Sequence, residues 1–212
     1  MTTVVVVRHG ETEWNREGRI QGWAASPLNE RGRRQARAVG RHLDDTYGLD
    51  RIVASDLRRT RETTAMAREG GELPEPEFTK GWRERSFGEF QGLTYEQVFG
   101  EFPEHRGSTG MLGLESVPAG GESLLQARER VLVAWEDLLE QASPDEEVLV
   151  VTHGGPIYVL LAHVRGMDLP TAITTLSQRN CAVNELRYDH ETGETDVVRE
   201  NETGYRDIEA TE

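Results

Sequence analysis

Two short runs of apolar, mostly β-branched residues lie far apart in the chain and end in nearly the same way. The first is VVVVRHG at 4–10 and the second is VLVVTHGG at 148–155. Continuous apolar runs of this length are typical of strands buried on both faces, which occur in parallel sheets covered by helices. The carboxyl ends of such strands meet at one edge of the sheet, where α/β proteins bind their ligands. The pattern therefore predicts that His9 and His153 occupy equivalent positions at a candidate site.

Helices and further strands alternate along the rest of the chain. Asn29 is a candidate N-cap for a helix that ends near Tyr47. The alternation predicts an α/β fold, a three-layer sandwich in which a mostly parallel sheet has helices on both faces and an antiparallel edge. The remaining predictions are helices over 57–68, 95–99 and 122–141 and from 154 onward, strands over 2–7, 51–54 and 147–152, and a hairpin over 181–188 and 194–199.

One domain spanning 1–212 suits the length of the chain, and one stretch within it lacks clear periodicity. Residues 81–121 are rich in glycine and aromatic residues, and only the short helix at 95–99 interrupts their irregular pattern. Irregular stretches of this length in compact domains are usually functional. We therefore predict a small inserted lobe over the site at about 81–121.

Charge and composition exclude several classes of function. The chain carries 38 acids against 24 bases, a net charge of −14, so it lacks the basic surface that nucleic-acid and anionic-membrane proteins need. Residues 1–61 nevertheless carry +4 and residues 62–212 carry −18; a bound anion or solvated helix arginines would each explain the basic segment. The single cysteine, Cys181, is incompatible with an internal disulfide. Without an apolar window of ~20 residues or a secretory signal, we expect a cytoplasmic protein with no nucleic-acid or membrane partner.

The residues near the two histidines suit an anion better than a metal ion. No third ligand stands at a usual metal-site spacing, and Arg8 beside His9 would repel a divalent cation. Arg8 and Arg59 can instead fork onto phosphate oxygens. The backbone amides that open the helix at Gly154 also favour negative charge. We therefore expect a phosphate site without a metal or other cofactor.

A neutral imidazole beside fixed positive charge is a good phosphoryl acceptor, because cations lower its pKa and keep a lone pair available. Two histidines in one pocket could act as nucleophile and as hydrogen-bond donor to the phosphoryl oxygens. The leaving alkoxide needs a proton, which a carboxylic acid near the phosphate can supply. Residue chemistry alone leaves four candidates in the predicted lobe: Glu84, Glu89, Glu96 and Glu101.

Six blocks follow one another over roughly three quarters of the chain. They read RHGETEWN at 8–15, QGWAASPLNERGRRQA at 21–36, SDLRRTRET at 55–63, WRERSFGEFQG at 82–92, GGES at 120–123 and VTHGG at 151–155. In this order they resemble the histidine phosphatase superfamily, in its phosphoglycerate-mutase-like branch. RHG alone is a weak signal, whereas six ordered blocks are a strong one.

The resemblance implies a role for each catalytic candidate. His9 stands at the position of the nucleophile that becomes phosphohistidine. Arg8, Arg59 and His153 stand at the positions of the phosphate pocket. Glu84 stands at the position of the acid that protonates the leaving group and then activates water.

Three further residues match the polar contacts of the family's site: Asn15, Gln21 and Gly154, the last through its backbone amide. Two positions depart from the family pattern. Trp82 replaces the usual leucine, which is a change in packing, and Ser26 stands where many members have aspartate, so any role of that acid is absent here.

The reaction class depends on the charge of the predicted lobe. Mutases of this branch carry RHYG after the acid, whereas this chain has RSFGEF. Those mutases also carry basic residues that hold a second phosphate, whereas Arg106 is the only Arg or Lys between 91 and 121 of this chain. We therefore predict a metal-independent phosphatase that hydrolyses a small phosphomonoester through a phosphohistidine on His9. The alternatives are a cofactor-dependent phosphoglycerate mutase and a non-catalytic phosphoryl-binding regulatory protein. The expected partner is a small phosphorylated metabolite, its identity open; a homodimer is possible, since dimers are common in the family.

Overall fold

A computed structural model describes residues 1–107 and 110–205 of the chain. These residues contain six strands: β1 (Thr2–Arg8), β2 (Arg51–Ser55), β3 (Pro76–Thr79), β4 (Glu147–Thr152), β5 (Val183–Tyr188) and β6 (Thr195–Glu202). They form one sheet in the order β3-β2-β4-β1-β5-β6. The first four strands in that order run parallel, whereas β5 is antiparallel to β1 and β6 is antiparallel to β5. The sheet is therefore mostly parallel with an antiparallel edge, as predicted.

Helices cover both faces of this sheet, which confirms the predicted fold class. The described residues form α1 (Glu13–Arg16), α2 (Glu30–Thr46), α3 (Arg58–Gly70), α4 (Tyr95–Glu101), α5 (Leu124–Gln141), α6 (Gly154–Arg165) and α7 (Leu169–Thr175). Side chains of α2 and α3 share one hydrophobic cluster with the sheet, and those of α5 and α6 share another. None of these helices is long and apolar enough to cross a membrane.

The continuous apolar run of β1 is explained by the two layers of helices. Side chains alternate across a strand, so Val4 and Val6 pack in the cluster with α5 and α6, while Val5 and Val7 pack in the cluster with α2 and α3. All four valines are at most 1% exposed. A strand between two layers of helices needs apolar residues on both faces, and the sequence pattern reflects this requirement.

The structure adds elements that the sequence pattern does not predict. β3 begins at Pro76, in a stretch where prolines and glycines predict a break. Proline is tolerated there because it occupies the first position of an edge strand, where its missing N–H removes no central hydrogen bond. The hairpin strands also begin later than predicted, at Val183 and Thr195. The short helices α1 and α7 have too few residues to show a clear period.

The predicted lobe has a small apolar cluster of its own. Ile20, Phe90, Val98 and Leu112 are its buried members, and Ile20 exchanges backbone hydrogen bonds of 2.9 and 2.8 Å with Leu93 and Gly92. The lobe therefore packs on the segment after α1. Positions 108–109 of the predicted lobe and 206–212 of the predicted domain lie outside the described residues, and the domain and lobe boundaries remain predictions.

Close contact between α2 and α3 depends on glycine. A Cβ atom on Gly40 would lie closer than 3.0 Å to the backbone of Ala67, and one on Gly70 would lie equally close to the backbone of Arg37. Backbone atoms within helices cannot shift aside as a flexible side chain could. Each glycine therefore allows the two helices to approach more closely than any other residue would.

We expect Gly40→Ala to lower the free energy of unfolding by about 1–3 kcal/mol, because the added methyl group overpacks a backbone contact. Gly100→Ala is the matched control, since Gly100 lies in α4 with nothing within 4 Å of the added atom. It should raise the free energy of unfolding by about 0.5–1 kcal/mol through helix propensity. Urea unfolding of both variants measures the difference, and equal effects of the two substitutions would contradict the packing explanation.

Candidate active site

A cleft of about 260 Å³ lies at the carboxyl edge of the parallel strands. Seven of the eight residues singled out by the sequence line it: Arg8, His9, Asn15, Gln21, Arg59, Glu84 and Gly154. The eighth, His153, is fully buried with its ring centroid 5.2 Å from that of His9. The structure therefore brings together side chains from β1, α1, α3, the segment after β3 and the β4–α6 junction.

His9 is held in one orientation directly after β1. Its Nδ1 lies 2.7 Å from the carbonyl oxygen of Gly10, and its Nε2 lies 3.2 Å from Nε of Arg59. Because a carbonyl can only accept, the proton is assigned to Nδ1, and Nε2 keeps its lone pair. Burial, then the guanidiniums of Arg59 and Arg8, hold the pKa of His9 well below its ordinary value. His9 is therefore a neutral imidazole with its nucleophilic nitrogen beside a cation.

His153 follows β4 as His9 follows β1, and it has one partner. Its Nε2 lies 2.8 Å from Oγ of Ser55. That oxygen also accepts from N of Leu57 at 3.4 Å. Nδ1 is buried without a hydrogen-bond partner. Burial, followed by the charge of Arg59, holds the pKa of His153 well below its ordinary value.

The guanidiniums of Arg59 and Arg8 supply positive charge beside His9. Arg59, only 1% exposed, donates through Nη2 to Gly22 O at 2.8 Å, which fixes its plane beside His9. Burial lowers its pKa to about 10. Arg8 donates through Nη1 to the carbonyl of Gln178, while its Nε is buried without a partner. Burial also lowers the pKa of Arg8.

Glu84 is the only one of the four lobe carboxylates that lines the cleft. Its Oε1 accepts from N of Arg85 at 2.9 Å and its Oε2 accepts from N of Gly155 at 3.1 Å. Its carbonyl accepts from Nε1 of Trp23 at 2.7 Å. Gly155 is in the first turn of α6, where free amides and the helix dipole favour negative charge. Glu84 is thus oriented by the same helix end that follows His153.

The side-chain oxygens of Asn15 and Gln21, two residues that line the cleft, both accept from Thr12. Thr12 donates through N to Oδ1 of Asn15 at 3.2 Å and through Oγ1 to Oε1 of Gln21 at 2.9 Å. Their side-chain oxygens are therefore engaged, which leaves the NH₂ groups as donors for a ligand in the cleft.

Several residues of the site have no signal in the sequence. Asn180 donates through Nδ2 to the carbonyl of His9 at 3.0 Å, and Gln178 supplies the carbonyl that holds Arg8. Both lie between α7 and β5, where no motif marks them. Arg19 and Arg85 also line the cleft. Both lie outside positions 91–121, the range in which Arg106 is the only basic residue. A group of three or more His, Cys, Asp or Glu side chains suited to a metal ion does not occur within residues 1–107 and 110–205.

Comparison with known proteins identifies the family. Residues 4–202 match the model of the histidine phosphatase superfamily (branch 1), and the chain belongs to this superfamily. It is similar to the metal-independent phosphoserine phosphatase of Arabidopsis thaliana, with 36% identity over 77% of this chain and 69% of that protein. It is also similar to the 2,3-bisphosphoglycerate-dependent phosphoglycerate mutase of Methylobacterium radiotolerans, with 33% identity over 77% of this chain and 79% of that protein.

A solved structure supports the same relationship. The chain is similar to Bacillus stearothermophilus YhfR, with a TM-score of 0.83, 28% identity and coverage of 97% of this chain and 99% of that one. Members of the superfamily are phosphatases or mutases. The resemblance carried by the sequence blocks is therefore confirmed.

We expect the stability of the protein to fall as pH decreases below about 6.5, because His153 binds a proton in the unfolded state but resists one in the folded state. His153→Asn removes this contribution. The gap in free energy of unfolding between the native chain and the variant should therefore shrink by on the order of 1 kcal/mol from pH 7.5 to pH 5.5. Urea unfolding at both pH values measures it, and the values at pH 7.5 give the pH-independent cost of the substitution. A constant gap would mean that His153 is not a neutral buried group.

Proposed function

We propose that this chain is a metal-independent phosphatase that hydrolyses a small phosphomonoester through a phosphohistidine on His9. In this proposal Arg8, Arg59 and His153 bind the phosphoryl oxygens. Asn15, Gln21 and the amide of Gly154 add neutral donors. Glu84 is the general acid of the first step and the general base of the second.

The observation that carries this proposal is a pair of buried nitrogens without hydrogen-bond partners, Nε of Arg8 and Nδ1 of His153. Arg8 precedes His9, and the His153 ring lies 5.2 Å from the His9 ring. In this proposal Nε2 of His153 accepts from the Ser55 hydroxyl, so Nδ1 carries the ring proton and is a donor, as Nε of Arg8 is. Buried polar groups are almost always hydrogen-bonded, and leaving one unsatisfied costs about 1–3 kcal/mol. A phosphoryl oxygen would satisfy such donors, and it would also neutralise the charge of two buried guanidiniums.

The proposed chemistry follows from the assigned protons. Nε2 of His9 attacks phosphorus, the bond between phosphorus and the ester oxygen breaks, and protonated Glu84 gives its proton to the leaving alkoxide. Water then attacks the phosphohistidine, Glu84 takes a proton from that water, and the P–N bond breaks to release phosphate. The arginines neutralise the phosphoryl oxygens throughout, so the cationic role that Mg²⁺ has in other phosphoryl transfers is filled by side chains.

Hydrolysis is favoured over mutase chemistry by the state of the outer arginines. A mutase must hold a second anionic group while the intermediate reorients. Arg85 is committed to the carbonyls of Glu122 and Ser116 at 3.0 and 2.6 Å, and Arg19 is paired with Glu17. The mutase remains the second candidate because a phosphoglycerate mutase is among the similar proteins.

We expect His9→Ala to lower the hydrolysis of p-nitrophenyl phosphate by at least ~10³-fold, because it removes the proposed nucleophile and the neighbouring imidazole, His153, does not line the cleft. The assay contains excess chelator. The native enzyme, denatured during turnover in alkali, should retain a label from ³²P substrate that is lost in acid, as a phosphohistidine is. His163→Ala is the control, since His163 is exposed on α6.

Activity that survives in His9→Ala would refute the nucleophile. Interconversion of 2- and 3-phosphoglycerate, stimulated by the bisphosphate and faster than hydrolysis, would favour the mutase. An intact native chain that binds phosphate but turns over neither substrate would favour a regulatory phosphoryl-binding protein.

Two adjacent glycines allow a sharp test of Glu84. A Cβ atom on Gly155 would lie closer than 3.0 Å to the carboxylate of Glu84, whereas the nearest atom to one on Gly154 is Nε of Arg8 at 3.7 Å. We expect Gly155→Ala to displace the general acid and to lower kcat/KM, which reports the phosphorylation step, by ~10²–10⁴-fold for an alkyl phosphate. The loss should be much smaller for p-nitrophenyl phosphate, whose leaving group needs no proton.

The matched variant Gly154→Ala keeps both amides and should lose far less kcat/KM for the alkyl phosphate than Gly155→Ala. Equal losses of kcat/KM with alkyl and nitrophenyl phosphates in Gly155→Ala would contradict the assignment of Glu84 as the acid.

A further inference from the structure

The cleft divides into a polar inner end and an apolar outer part. Its inner end holds the arginines, His9 and Glu84 described above. The rest of its lining, taken here as the outer wall, includes six apolar side chains: Ile20, Phe87, Met111, Leu112, Leu124 and Ile173. Tyr95 and Tyr158 also line the cleft and add two rings, each with one hydroxyl group. Ile20, Leu112 and Leu124 are buried at 4%, 8% and 8% exposure, so they belong to packed structure and form a fixed wall. The group that leaves with the ester oxygen would lie against this wall.

The apolar wall continues into a second cavity of about 130 Å³. Four side chains line both spaces: Met111, Leu112, Leu124 and Ile173. The second cavity adds Leu114 and Pro170, and His9 is not among its lining residues. Apolar surface therefore continues from the cleft into a space that the residues of the phosphate end do not line.

The charged groups of the outer cleft have partners of their own. Arg85 is only 4% exposed, donates to two backbone carbonyls, and lies 5.1 Å from the centre of the Phe87 ring. Arg19 is paired with Glu17 and donates to the carbonyl of Gly92 at 2.7 Å. A second phosphate or carboxylate on the substrate would have to replace these interactions.

We propose that the preferred substrate of this site carries an apolar leaving group: an alkyl or aryl phosphomonoester without a second anionic group. This inference rests on the proposed phosphatase function and adds the class of substrate. The inner end binds the phosphoryl group, and the outer wall removes the hydrocarbon from water. Burial of each methylene favours binding by a factor of about four.

The test is a series of straight-chain alkyl phosphates from methyl to octyl. Their alkoxide leaving groups are nearly equal in basicity beyond ethyl, so differences in rate report contacts in the cleft and not intrinsic reactivity. We expect kcat/KM to rise by roughly two- to fourfold for each added methylene until the outer cavity is filled. Glycerol phosphate, phosphoserine and 3-phosphoglycerate should be poorer substrates than an alkyl phosphate of similar size.

Two threonine substitutions locate the effect. Ile173→Thr places a hydroxyl in the shared wall and should lower kcat/KM for octyl phosphate at least threefold more than for methyl phosphate. Val133→Thr is the matched control, because Val133 is 52% exposed on α5 outside this cleft. It should leave the whole series unchanged. Inhibition by inorganic phosphate reports the inner end separately.

The outcomes separate the two proposals. Hydrolysis of the series with a flat or falling dependence on chain length, or a preference for 3-phosphoglycerate, would overturn the apolar leaving group and leave the phosphatase standing. Absence of hydrolysis of every phosphomonoester, together with absence of label on His9, would overturn the proposed function itself. A rising series that Ile173→Thr flattens and Val133→Thr does not would support both.

Discussion

The parallel pairing of β1 with β4 is the interaction on which the rest of the structure depends. It sets Arg8 opposite Thr152, and the hydrogen bond from N of His9 to O of Thr152, at 2.9 Å, carries the register beyond the strands. The backbone therefore leaves the sheet at the same level after β1 and after β4. The ring centroids of His9 and His153 lie 5.2 Å apart as a result. A slip of one residue would turn alternate side chains to the wrong face. Because both strands are buried on both faces, this register is strongly specified.

The same sheet edge holds buried positive charge that an anion would balance. Arg59 and Arg8 lose hydration there, and burial lowers the pKa of each. Burial and these cations keep His9 and His153 neutral, with both pKa values below the ordinary range. The chain as a whole carries a net charge of −14, so this small cationic centre belongs to an acidic protein. The combination suits one compact phosphoryl group and not an extended polyanion, for which a broad basic surface is needed.

Much of the fold could be predicted because its strongest signals are local. The valines of β1 and the N-cap Asn29 of α2 are encoded by residues close in sequence. So are the ends of the strands that carry His9 and His153. β3 is different, since its Pro76 and its glycine-rich approach resemble a break. Its place in the sheet comes from pairing with β2, a contact between segments that no local period describes.

The sequence by itself determined the class of fold and the two histidine-bearing strand ends, because apolar periodicity and residue chemistry act locally. Residue chemistry left four carboxylates open, and the family blocks pointed to Glu84. Only the tertiary structure decided that Glu84 alone of the four reaches the cleft, held by N of Gly155. It also decided that Asn180 donates to the backbone carbonyl of His9, that Arg85 donates to two backbone carbonyls, and that six apolar side chains line the cleft. These outcomes depend on contacts between distant segments, which form only when the chain packs around the sheet.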